Sequence, residues 1–407
     1  MKNNIKEIKG GVCSPKGFKA AGVAAAIKYQ KRNDVALIMA EHPAVAAAVF
    51  TTNKVAAAPV VYDRGIMGYG KLQAILANSG CANACTGEAG LKDAELSALV
   101  TAGELGIEPK LVAVASTGVI GRALPMERLL AGMRAAKAAL GKDYQHGLDA
   151  EMAIMTTDTK PKQAAVTMII DGKKVTIGGM SKGSGMIEPN MATMLGFITT
   201  DANINLTMLK RALKLAIAKS FNRLVVDGDE STNDSVFLLA SGDAGNRKIV
   251  RMDNDFKLFM SGLEKVCVSL ARQMAKDGEG ATKFVAVTVK GARSEHEAER
   301  AARAIAKSPL VKTSWFGRDP NWGRVLAAVG YSGAEVEDMK AEVFYGGEWA
   351  FKRGKVADSE QLKRLAKVIK ADEFEVVVDL HLGKGESTIY TCDLSLEYIH
   401  INADYTT

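Results

Sequence analysis

Near the middle of the chain, two apolar runs enclose IGGMSKGSGMIEPNMATMLGFITTDA, residues 177–202, where five glycines, a proline, four methionines and two serines are compressed together. Glycine opens backbone conformations closed to other residues, and proline removes an amide donor and clashes with the preceding turn. No single helix can run through this stretch; it must leave one strand, cross a region of special backbone geometry and enter another. Two familiar motifs are excluded by their context. Gly179-Met180-Ser181-Lys182-Gly183 satisfies the G-x-S-x-G pattern of serine hydrolases with Ser181 as nucleophile, but that elbow needs a helix directly after the serine, where Gly183, Gly185 and Pro189 would break one. Neither phosphate loop can be written, because Lys182 precedes Gly183 and Glu188 takes the last glycine position of G-x-G-x-x-G.

What remains is Pro189-Asn190-Met191-Ala192-Thr193-Met194-Leu195-Gly196-Phe197, a polar turn leading into an apolar strand with a β-branched hydroxyl at its entry. By local pattern alone, Thr193 is equally well a strand-entry residue. Its chemical reading is an internal nucleophile: Thr193 Oγ attacks the Ala192 carbonyl, the acyl group moves from nitrogen to oxygen, and water completes the cut. The freed threonine then carries a hydroxyl and an α-amine, whose pKa of about 7.7–8.0 lets it accept the hydroxyl proton near neutrality. No histidine is required, and the five histidines, at 42, 146, 296, 381 and 400, stand in no catalytic context.

The surrounding chain reads as an ordinary globular frame. Its 407 residues exceed what one hydrophobic core usually fills, so two compact units are expected. Strand patterns occur at 35–39, 72–76, 111–115, 165–170, 174–177, 194–198, 224–226, 236–239, 284–289, 341–344, 375–380 and 397–401. Helical periodicity is clearest at 91–105, 126–140, 206–219, 255–275, 295–306 and 359–369. Strands come in pairs across turns such as Asp171-Gly172, which favours an α+β (mixed α/β) fold, a layered sandwich of helices on mainly antiparallel sheets, over a doubly wound dinucleotide fold. The Gly-rich DGEGATK, before a fresh strand, divides a main unit, 1–282, from a smaller α+β unit, 283–407.

The net charge of +7 is scattered rather than blocked, which argues against nucleic acid. Cysteines at 13, 81, 85, 267 and 392 are odd in number, as expected of a reducing, cytoplasmic compartment, and Cys81-x-x-x-Cys85 lacks the second ligand pair of a zinc site. No run approaches the ~20 apolar residues of a bilayer span, and the first residues lack a signal peptide's apolar stretch, so neither membrane nor metal is expected.

KGSGMIEPNMATML resembles the signature of the ornithine acetyltransferase family, the glutamate N-acetyltransferases of arginine biosynthesis that cut themselves before a catalytic threonine. The likeness covers nearly the whole chain, through GVCSPKGFKAAGV, NSGCANACTGEAGLKDA, ASTGVIG, TTDT, VDGDESTNDSV, DGEGATK, RDPNWGR and INADYTT. It implies an aminopeptidase-like sandwich with Thr193 as nucleophile. The cut between Ala192 and Thr193 gives an α chain, 1–192, and a β chain, 193–407. The family's oxyanion hole matches the Thr117 hydroxyl and the Gly118 N–H of STGVIG; without the family, Ser116-Thr117-Gly118 reads as a strand-end turn.

The substrate ring implied by the resemblance is Thr156 (chosen over Thr157 of TTDT), Lys182, Thr193, Glu279, Asn402 and the terminal Thr407. Lys182 suits an α-carboxylate and Glu279 an ammonium, as a zwitterionic amino acid requires; by themselves both read as solvated loop charges. Thr406 departs from the basic residue common there in the family. The implied reaction is ping-pong, from N2-acetyl-L-ornithine through an acetyl-threonine to L-glutamate, with no cofactor. Some members also use acetyl-CoA as donor, and no motif here reports that activity. An α2β2 heterotetramer is implied as well. The rival readings are a self-cleaving aminopeptidase or amidase, in which water takes the acyl group, and an uncleaved amino-acid-binding protein.

Overall fold

The computed structural model describes residues 5–188 and 194–404. Nine strands build the first sheet: β1 (Lys6–Ile8), β2 (Phe18–Val23), β3 (Val35–Phe50), β4 (Lys71–Asn78), β5 (Val112–Ser116), β6 (Gln163–Ile170), β7 (Lys173–Lys182), β8 (Leu195–Thr200) and β9 (Ser235–Ala240). Their order is β1-β6-β7-β8-β9-β3-β4-β5, with β2 also on β3. β3 joins the halves. Its start pairs with β2 and β4, its end pairs with β9, and the register with β4 shifts between Met39 and Ala44, around Pro43. An irregularity of this kind bends a strand, and a proline there has no ladder donor to lose.

Bent at β3, the sheet folds over on itself. Ile38 and Ala40 of β3, Ile75 and Ala77 of β4, Met180 of β7, Phe197 of β8 and Phe237 of β9 share one core. The opposite side chains, Val35, Leu37, Ala74 and Leu76, pack under helices Gly87–Leu105 and Met126–Ala138. On the other outer face, Ile198, Val236 and Leu238 pack under helices Leu206–Lys219 and Asn254–Lys276. The two-residue period of each strand thus feeds two cores, and the layers run helix, sheet, sheet, helix. This is the sandwich that the paired strands predicted.

The second sheet contains β10 (Phe284–Ala292), β11 (Glu342–Tyr345), β12 (Glu348–Lys352), β13 (Lys355–Val356), β14 (Glu373–Asp379) and β15 (Gly385–Cys392), in the order β13-β12-β11-β14-β10-β15. β10 and β14 are parallel, and the other pairs antiparallel. Helix Glu295–Lys307 packs on β10 and β15; its Ser294 cap accepts the Glu297 amide, and two glutamates in its first turn complement the helix dipole. Phe284 and Cys392 reach into the core beneath helix Asn254–Lys276, so the two sheets share packed interior.

Two sequence expectations need correction. Residues 397–401 are not a strand but part of helix Leu396–Asp404. The alternating Glu-Tyr-Ile-His-Ile has no sheet edge to bury against, Leu396 and Ile399 stay exposed, and the Ser395 hydroxyl accepts the Glu397 amide at 3.1 Å to start a helix. Residues 224–226 form only an isolated bridge, Leu224 to Tyr390. Among the described residues, no helix is long and apolar enough to cross a membrane.

Candidate active site

β5 ends at Ser116 and the chain turns through Thr117 and Gly118 against the loop after β4. The Thr117 amide donates to Asn78 O at 3.0 Å and the Val119 amide to Gly80 O at 3.4 Å, whereas the Gly118 amide meets no carbonyl among the described residues. Gly118 has φ +129°, and a Cβ there would lie 2.5 Å from the Gly80 carbonyl carbon, so no other residue fits this turn. Asn233 locks it from below, donating to Ala82 O at 2.6 Å and Ser116 O at 2.8 Å. Thr117 therefore has its amide committed and its hydroxyl left to offer beside the Gly118 N–H.

Lys182, the last residue of β7, points its ammonium at Thr156 Oγ1, 3.3 Å away. Burial pulls the Lys182 pKa down, and the nearby Asp158 carboxylate opposes the shift. Asp158 accepts the Thr156 amide at 2.9 Å, the Gly183 amide at 2.7 Å and the Lys162 ammonium at 2.6 Å. Lys162 also bonds Asp277 at 2.6 Å, forming a buried acid–base–acid triad under the site. Burial works to raise the Asp158 pKa, but the Lys162 and Lys182 charges outweigh it and hold the carboxyl at about 2.

Asp277 ends helix Asn254–Lys276 and so delivers Glu279 to the rim. The Glu279 amide donates to Ser184 O at 2.8 Å, and Asn402 Nδ2 donates to Glu279 Oε2 at 2.8 Å. A Cβ at Gly185 would fall 2.3 Å from the Glu279 carboxyl carbon, so glycine there is what lets the carboxylate lie close. Thr157 is engaged elsewhere, its hydroxyl 2.7 Å from Ser184 Oγ.

These groups surround a cleft of about 120 Å³, lined by Thr117, Gly118, Thr156, Thr157, Lys182, Met194, Asp234, Glu279 and Asn402 among others. Six of the residues picked from the sequence, from five separate regions of the chain, meet there. Ala192, Thr193 and Thr407 lie outside the described residues; Met194 and Leu195, which follow Thr193, line the cleft. Ser181, the rejected hydrolase serine, is fully buried and does not line it.

The ArgJ family profile matches residues 19–407. The chain belongs to the ArgJ family. It is 50% identical over 402 residues to the arginine biosynthesis bifunctional protein ArgJ of Symbiobacterium thermophilum, covering 98% of this chain and 99% of that one. The Bacillus subtilis protein of the same name is 45% identical over 408 residues, covering 100% and 98%. Among solved structures, the ornithine acetyltransferase complexed with ornithine from Mycobacterium tuberculosis is 42% identical, with a TM-score of 0.44 over 46% of this chain and 100% of that one.

In this ArgJ-family chain, sequence reasoning missed the supporting acids and amides. Asp234 lines the cleft and is 2% exposed, and its Oδ2 finds no hydrogen-bond partner among the described residues. Burial raises its pKa well above the usual carboxyl range, against the Met194 amide, the Ser231 hydroxyl and the Lys182 charge. Asp158, Asp277 and Asn233 act on the site through other residues, at sequence separations above 100 in the case of Asp277 and Asn233. The available signals were the motifs TTDT, holding Asp158, and DGEGATK, holding Asp277, and the polar run ESTND, 230–234, directly before an apolar strand.

Proposed function

We propose that the protein is an acyltransferase of arginine biosynthesis that moves the acetyl group of N2-acetyl-L-ornithine to L-glutamate after cutting itself between Ala192 and Thr193. The observation that carries this reading is the cleft, in a chain of the ArgJ family. It sets the Thr117 hydroxyl and Gly118 amide beside the strand that follows Thr193, and faces them with Lys182 and Glu279. In the first half-reaction, Thr193 Oγ attacks the acetyl carbonyl while its α-amine takes the hydroxyl proton. Thr117 and Gly118 donate to the oxygen that becomes negative, the C–N bond breaks, and ornithine leaves with the proton on its amine. In the second, the glutamate amine attacks the acetyl ester, and N-acetylglutamate leaves as Thr193 Oγ regains its proton. The amide donor is unreactive, so oxyanion donors preorganised in a small cleft must supply much of the barrier reduction.

Lys182 suits the α-carboxylate of either substrate and Glu279 the ornithine ammonium, with Thr156, Asn402 and Thr407 completing the ring. The transfer needs no cofactor. The further parts of the proposal are an α2β2 assembly of the fragments, a cytoplasmic location, and folding in units of 1–282 and 283–407. Incubation with acetylornithine tests the central part. Ornithine release is expected to require glutamate and to give N-acetylglutamate mole for mole. Release at the same rate without glutamate, yielding acetate, would make the protein an amidase. The same assay run with acetyl-CoA decides whether the thioester also serves as donor.

A further inference from the structure

The loop VDGDESTNDS, residues 226–235, supports the Thr117-Gly118 turn through Asn233. It also grips the chain on both sides of the proposed cut. At its start, the Val226 amide donates to Ile187 O at 2.7 Å, and the Glu188 amide donates to Asp229 O at 2.9 Å. The Asp227 carboxylate accepts the Met186 amide at 2.6 Å and the Ile187 amide at 2.8 Å, along with the Tyr398 hydroxyl at 3.3 Å. At its end, the Ser235 amide donates to Met194 O at 3.0 Å, and the buried Asp234 carboxyl takes the Met194 amide. Gly228, with φ +92°, makes the turn between these grips possible.

A third tether comes from the second sheet's layer. The Glu188 carboxylate pairs with Arg303 at 3.7 Å and with Lys307, both on helix Glu295–Lys307. Glu188 is mostly buried and its partners sit more than 100 residues further along the chain, so the contact exists only after that helix has packed.

An N-to-O acyl shift requires the hydroxyl held near its own preceding carbonyl, at about 3–3.5 Å and aligned, a geometry an unrestrained peptide visits rarely. Charge-assisted bonds to backbone amides are about twice as strong as neutral ones, so Asp227 is well suited to hold a segment in place. We infer that residues 226–235 are the template for self-cleavage, with Asp227 and Glu188 as positioning residues that fix the chain before the Ala192–Thr193 bond and Asp234 fixing it after. Because Glu188 needs Arg303 and Lys307, cutting waits for helix Glu295–Lys307 to dock. The inference rests on the self-cleavage reading and deepens it.

The test uses full-length precursor made by cell-free translation, sampled over time on denaturing gels, for wild type, Asp227→Asn, Asp227→Ala and Glu188→Gln. Transfer turnover is then measured per cut chain. The expected half-time of cutting lengthens roughly 30-fold or more in Asp227→Ala, less in Asp227→Asn, which keeps one acceptor oxygen, and about 3–10-fold in Glu188→Gln, while turnover per cut chain stays within about threefold. If Asp227→Ala loses its cooperative melt, Glu188→Gln carries the test. Variants that cut at the wild-type rate overturn the inference, as do variants in which cutting and turnover fall together. A wild-type chain that never cuts defeats the self-cleavage reading itself.

Discussion

Thr117 is where residue chemistry is most exposed to test, because it lines the cleft while its amide is already bonded to Asn78, which leaves its hydroxyl as the free donor. Thr117→Val is expected to lower kcat by on the order of 10² to 10³, while Thr117→Ser keeps most of it. Equal kcat in Thr117→Val and wild type, in steady-state assays of transfer, would remove the hydroxyl from the mechanism. The buried triad gives a second prediction. Lys162→Met leaves Asp158 and Asp277 without their shared cation and should cost about 3–5 kcal/mol in denaturant melts at neutral pH. Asp158 is held at about 2, below its unfolded value of about 3.9, so its stabilisation is present above that value and lost as pH falls through the folded one. Wild type should therefore weaken across that acid window, and Lys162→Met should lose much of the slope. Thr117 and Gly118 could be singled out only because they stand in the motif STGVIG, and both line the cleft. The triad could not, since Lys162 and Asp277 are 115 residues apart and each alone reads as a solvated charge.

At the scale of elements, the C-terminal helix Leu396–Asp404 shows why a short pattern misleads. Its Glu-Tyr-Ile-His-Ile alternates like a strand, but the helical spacing of four puts Tyr398 against Asp227 and Asn402 against Glu279 on one side. Nothing local reports that choice; it is made by docking. Gly280 governs the docking, with φ +66° and a would-be Cβ only 2.5 Å from the Tyr398 amide nitrogen. Gly280→Ala should push the helix off Glu279 and raise KM for the amino-acid substrates several-fold, with a smaller change in kcat. Steady-state kinetics showing unchanged KM would mean that the helix does not bear on binding. Long periodic helices were easier to read: 206–219 is matched to the residue, because its apolar face packs on the sheet over its whole length. The helices Ala58–Ile66 and Pro309–Phe316 were missed, being short and opened by prolines that read as turns.

For the whole molecule, the layered sandwich followed from strands arriving in pairs, but the fold of the sheet at β3 did not. Sixteen residues with Pro43 inside read as one short strand and a loop, and only the partners on either side make them continuous. The same topology would keep the fragments together. The proposed cut lies in the connection between β7 and β8, which pair antiparallel from Ile177 with Thr200 to Lys182 with Leu195, and β8 is held again by β9. The two fragments are therefore expected to co-elute in native size-exclusion chromatography and to separate only in denaturant. Everything rests on that cut. Intact mass measurement and N-terminal sequencing of freshly purified, active protein should find a fragment beginning at Thr193 and its complement ending at Ala192, with Thr193→Ala uncut and inactive. A fully active preparation whose only species is the full-length chain beginning at Met1 would contradict the account.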